Sequence, residues 1–87
     1  MMKSNTFTRG ELRIMIFNLL GEIAPEADFE TLGLDEDIRY ELDIDSFDFL
    51  NFLIGMNEKT GVEIPEADYG QLLSVNDICD YIETRLP

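Results

Sequence analysis

Histidine is absent and cysteine occurs once, which removes the usual general base, the favoured metal-ligand types and any Cys-His nucleophilic pair. Basic side chains are scarce too: six Lys and Arg stand against nineteen Asp and Glu, a formal net charge of −13. So anionic a chain is repelled by nucleic acid and by anionic membrane surfaces, and a basic protein partner is its natural complement. No apolar run approaches the roughly eighteen residues that a membrane span needs. Met1 to Thr8 has no apolar h-region, and Cys79 has no internal partner for a disulfide, so the expectation is a soluble, cytosolic protein.

What is present fits one small domain over residues 1–87, with the first seven residues as a loose end. Thr8-x-x-Glu11 is a capping box, and Leu12, Met15, Ile16, Leu19, Leu20 and Ile23 follow at three- and four-residue spacing. A first helix is therefore predicted to end near Ile23, ahead of Ala24-Pro25. Residues 24–45 read as a long acidic connection pinned at Phe29, Leu32, Leu34, Ile38, Leu42 and Ile44, with a helical turn around Glu36 to Glu41. Between Glu26 and Asp48 its only basic side chain is Arg39.

A second long helix is predicted from Asp45 or Ser46 to a stop at Gly61. On its wheel Phe49, Phe52, Leu53 and Met56 share one face, and Phe47, Leu50 and Ile54 the opposite one. Beyond the extended Val62-Glu63-Ile64-Pro65, a short helix is expected over Glu66 to Leu73, anchored by Tyr69, Leu72 and Leu73. Ser74, with Asp77 three residues on, caps a last helix whose apolar side is Val75, Ile78, Tyr81, Ile82 and Leu86. The fold class is all-α: a small four-helix bundle of three main helices and one short one, with a long ordered loop between the first two main helices.

Ser46 stands where that loop meets a helix start. Taken alone, it is a good N-cap. A helix N-terminus also offers free N–H groups and positive partial charge to a phosphate, so a phosphodiester on Ser46 would be well housed. The context separates these readings. The segment ELDIDSFDFLNFL is followed by Gly61-Val62-Glu63-Ile64-Pro65 and then by the Ser74-Val75 helix start, and in this order and spacing the chain resembles the acyl carrier protein family. The likeness runs from the first amphipathic helix to Leu86.

That resemblance implies that Ser46 carries 4′-phosphopantetheine, transferred from coenzyme A by a separate phosphopantetheinyl transferase that uses magnesium. The thiol of the arm then holds acyl groups as thioesters for other enzymes, and Ser46 does no catalysis itself. It also makes the helix after Ser46 a docking surface, with Phe47, Leu50 and Ile54 as its apolar stripe. Asp45, Asp48 and Glu58 match positions that pair with basic residues of acyl-loading and acyl-processing enzymes. Phe49, Phe52, Leu53 and Met56 either line a sleeve for an acyl chain or fill the core. Carriers of bulk fatty-acid synthesis usually have glycine two residues before the serine, leucine or methionine after it, and glutamates where Asn51 and Asn57 stand. Here Ile44 and Phe47 occupy the first two places, which points to a specialised carrier, and it is expected to be free-standing and monomeric.

Other readings stay open at this level. An aminoacyl or peptidyl carrier would use the same arm, and an unmodified acidic adaptor or cation-binding protein would use Ser46 only as a cap. An EF-hand beginning at Asp43 fails, because Phe47 and Asp48 fall where a ligand and a glycine are required, and no metal site is assigned. Cys79 reads as a small buried filler, and Tyr69 and Tyr81 as core-edge residues whose hydroxyls reach water. No paired catalytic constellation is present, so the chain is not expected to be an enzyme.

Overall fold

The computed structural model describes residues 7–86. The elements run α1 (Arg9–Ile23), a 3₁₀ turn (Phe29–Thr31), α2 (Ile38–Glu41), α3 (Ser46–Thr60), a 3₁₀ helix (Glu66–Gln71) and α4 (Val75–Arg85). Among the described residues all regular structure is helical, as the pattern of apolar spacings predicts.

The capping box at the start of α1 is complete. Thr8 Oγ1 accepts the Glu11 N–H at 3.1 Å, and Glu11 Oε1 accepts the Thr8 N–H at 2.8 Å. Leu12, Ile16, Leu19 and Leu20 form its buried stripe, and α1 packs against both α3 and α4. Gly55 permits the close approach of α3: a Cβ there would stand 2.9 Å from Leu19 Cδ2. Phe7, the last residue of the expected loose end, is half-buried and packs on the core, while the first six residues lie outside the described ones. Gly61 ends α3 in the left-handed region, φ 77°, and Ser74 caps α4 by accepting the Asp77 N–H at 3.0 Å.

The long connection is ordered and pinned. Leu32, Ile38 and Ile44 are buried, and Phe29, Leu34 and Leu42 pack against the same core. Two backbone bonds tie it to the start of α4: Ile38 N–H to the Leu73 carbonyl at 2.8 Å, and Asn76 N–H to the Leu34 carbonyl at 2.9 Å. The expected turn at Glu36 to Glu41 is the four-residue α2, which begins two residues later because Asp37 serves as its cap.

The segment after Pro65 differs from expectation. It is a 3₁₀ helix, held by bonds such as Asp68 N–H to the Pro65 carbonyl and followed by Leu72 N–H to the Tyr69 carbonyl. A three-residue period places Tyr69 and Leu72 on one side and leaves Leu73 off it. Leu72 is accordingly buried and Leu73 is 47% exposed, so Leu73 is no anchor. The Tyr81 hydroxyl donates to Asp68 Oδ2 at 2.6 Å, a partner the sequence pattern does not indicate. Cys79 is free and fully buried, as a filler should be.

Candidate functional site at the start of α3

Asp45, not Ser46, caps α3. Its backbone is extended, and its Oδ1 accepts the Asp48 N–H at 2.8 Å. Ser46 is thereby the first helical residue, and its side chain is not required to complete the helix end. The hydroxyl is exposed and accepts a hydrogen bond from Arg39 Nη2 at 2.9 Å. Among the described residues nothing accepts from the amides of Ser46 and Phe47, so two N–H groups remain at the positive end of the helix dipole.

The turn between α2 and α3 sets this geometry. Ile44 N–H reaches the Arg39 carbonyl at 3.0 Å and Asp43 N–H reaches the Tyr40 carbonyl at 3.4 Å, the paired bonds of a Schellman motif. Asp43 occupies the left-handed position, φ 55°, that glycine usually fills, and Ile44 after it is buried. The chain therefore reverses within three residues and brings the side chain of Arg39 back over the first turn of α3. Its guanidinium lies 5.6 Å from the ring centroid of Phe49.

The other singled-out residues divide by face. Phe47 is 70% exposed, Ile54 46% and Leu50 36%, and the three form an outward apolar stripe along α3. Asp45 and Glu58 are exposed beside it, and Asp48 is half-buried. Phe49, Phe52, Leu53 and Met56 all face inward and are buried. Of these four, Leu53 alone lines an open cleft of about 290 Å³ between α3 and the 63–69 segment, with Ile54, Ile64 and Tyr69. The rings of Phe49 and Phe52 pack on one another with centroids 5.7 Å apart. Two residues near the site carried no functional signal in the sequence. Tyr40 on α2 is 81% exposed, and Arg39 was notable there only as a lone cation. Among the described residues no group of three carboxylate or thiol side chains gathers as a metal site would require, and no helix is long and apolar enough to cross a membrane.

The model of the family described as phosphopantetheine attachment site matches residues 16–82, most of the chain, with Ser46 inside the match. An acyl carrier protein of Campylobacter hominis is 33% identical over 73 residues, covering 84% of this chain and 86% of the relative. One of Lactobacillus johnsonii is 29% identical over 73 residues, covering 80% and 91%, and one of Renibacterium salmoninarum is 37% identical over 60 residues, covering 69% of each.

This chain belongs to the acyl carrier protein family. Acyl carrier proteins hold a substrate group rather than transform it, so this one is a carrier and not an enzyme. Membership also implies a covalently attached 4′-phosphopantetheine, and the exposed hydroxyl, the two free amides and the adjacent guanidinium at the start of α3 suit such a phosphodiester.

Proposed function

We propose that Ser46 is the attachment point of the 4′-phosphopantetheine, and that the protein presents acyl groups to enzymes of fatty acid, lipid, polyketide or other secondary-metabolite synthesis. The observation that carries this reading is the division of labour at the helix start: Asp45 does the capping, which leaves Ser46 with an exposed hydroxyl and no structural duty. When bound, the arm supplies a terminal thiol that holds cargo as a thioester. The chain's own part is to offer the Ser46 oxygen as acceptor and to seat the phosphodiester among N–H donors.

Phe47, Leu50 and Ile54 are the proposed apolar contacts for partner enzymes, with Asp45, Asp48 and Glu58 meeting basic side chains around them. The phosphopantetheinyl transferase is the first such partner. Leu53, at the floor of the open cleft beside α3, is the lining residue best placed to touch an acyl chain. Phenylalanine at position 47 and asparagine at 51 and 57 make this docking helix greasier and less acidic than that of a bulk fatty-acid carrier, which favours a specialised pathway.

The test is an intact mass before and after incubation with a promiscuous phosphopantetheinyl transferase, coenzyme A and magnesium, with Ser46→Ala alongside. A gain of one phosphopantetheine that Ser46→Ala abolishes supports the assignment. A gain that persists in the variant moves the site elsewhere, and no gain with several transferases overturns the reading.

A further inference from the structure

We propose that Arg39 is the counter-ion of the modified serine: its guanidinium clamps the phosphodiester and offsets a charge that the surrounding carboxylates would otherwise oppose. The inference rests on the attachment of the arm at Ser46.

The electrostatics of the site require a cation. A phosphodiester on Ser46 adds a negative charge between Asp45 and Asp48, in a chain of formal net charge −13. The N-terminus of α3 supplies only part of the compensation, because Asp45 already takes the Asp48 N–H and leaves the amides of Ser46 and Phe47. Arg39 is the one basic side chain between Glu26 and Asp48, and its Nη2 already stands 2.9 Å from the Ser46 oxygen to which phosphorus would bond.

Three features hold the guanidinium there rather than on a carboxylate. Among the described residues it forms no ion pair, despite an acidic stretch on both sides. It rests against the buried ring of Phe49, 5.6 Å from the centroid, where a flat, weakly hydrated cation is favoured over an ammonium. The Schellman turn through Asp43 fixes the direction in which residue 39 faces residue 46. A planar fork with several donors can keep one hydrogen on the ester oxygen and place another on a non-bridging oxygen, which a lysine cannot do in the same geometry.

The experiment uses the full-length chain as wild type, Arg39→Gln and Arg39→Lys, each prepared unmodified and modified. Intact mass is read first, and a wild-type chain that gains no phosphopantetheine overturns the attachment at Ser46 and the clamp with it. Given the mass gain, unfolding is followed for all six forms at low and high salt. The expected result is that modification leaves wild type as stable or more so, whereas the modified-to-unmodified ratio of folding constants is about two- to fivefold smaller in Arg39→Gln, the range of an exposed ion pair. Arg39→Lys falls between, and high salt closes the gap. The Arg39 Nε–H resonance also moves on modification of wild type. Equal effects of modification in all three chains, with an unmoved Arg39 resonance, overturn the clamp and leave the attachment standing.

Discussion

The carboxylate of Asp45 accepts the backbone N–H of Asp48 at 2.8 Å, and this one bond caps α3 without the side chain of Ser46. Removing it strands an N–H at a helix end that holds much of the core, so Asp45→Ala is expected to destabilise the fold by about 1 kcal/mol. Ser46→Ala, which removes no cap, is expected to stay within about 0.5 kcal/mol of wild type. Urea unfolding of both variants checks the pair. Equal losses would mean that the serine shares the capping and is less free than the geometry says.

Asp43 holds φ 55° between α2 and α3. Aspartate tolerates this region better than most residues, but a β-branched side chain does not. Asp43→Val is expected to cost about 1–2 kcal/mol through backbone strain alone, since the Asp43 side chain is exposed. Asp43→Gly should be close to neutral, because relief of strain is offset by greater freedom in the unfolded chain. Comparable losses in the two variants would show that the aspartate side chain itself matters.

These two residues mark how far sequence reading reaches. Thr8 with Glu11, Ser74 with Asp77, and the stop at Gly61 lie within one turn of what they cap, so residue type and spacing suffice to find them. The inward set of Phe49, Phe52, Leu53 and Met56 follows equally from the helical period. The long-range pairings do not. Arg39 reaches Ser46 only because a non-glycine residue takes a left-handed turn, which the local sequence does not announce. Arg9 donates to Asp80, Glu83 and Asn76, near the opposite end of the chain, and joins α1 to α4 in a way no local pattern encodes. Tyr40 is exposed because Ile38 and Leu42 anchor the turn on either side of it, and the side it faces depends on α2 being a true helical turn. The helix expected at Glu66 to Leu73 is a 3₁₀ helix over Glu66–Gln71 that Pro65 begins without a side-chain cap, a difference that residue type alone does not announce.

Alkaline pH offers a test of the packing around α4. Burial pushes the Cys79 thiol above its ordinary value, outweighing the attraction of Arg9, and burial followed by the hydrogen bond to Asp68 pushes the Tyr81 hydroxyl up. Each group therefore holds its proton more tightly folded than unfolded. Their contribution is fully present below the unfolded values of 9.0 and 10.0 and is lost as pH rises through the raised folded values. Stability is expected to be flat just below pH 9 and to fall above it, and Tyr81→Phe should flatten the steeper, higher part of that fall. A variant whose stability above pH 10 declines as wild type does would show that Tyr81 is not the group responsible.

Phe47 puts the docking face to a direct test. Seven-tenths of its surface is exposed, next to the serine, so its removal costs the fold little, yet under the proposed attachment at Ser46 a partner enzyme would meet it. Aromatic anchors at the centre of an interface often carry 1–2 kcal/mol or more, so Phe47→Ala is expected to lower kcat/KM for arm transfer by about tenfold. The loss should fall chiefly on KM for the carrier, because the hydroxyl and its surroundings are left in place. Leu50→Ala should act in the same direction but more weakly, since less of it is exposed. An unchanged KM for Phe47→Ala, with an unfolding midpoint equal to wild type, would remove the α3 stripe from the transferase interface and leave the exposed Tyr40 side of the α2–α3 corner as the alternative approach.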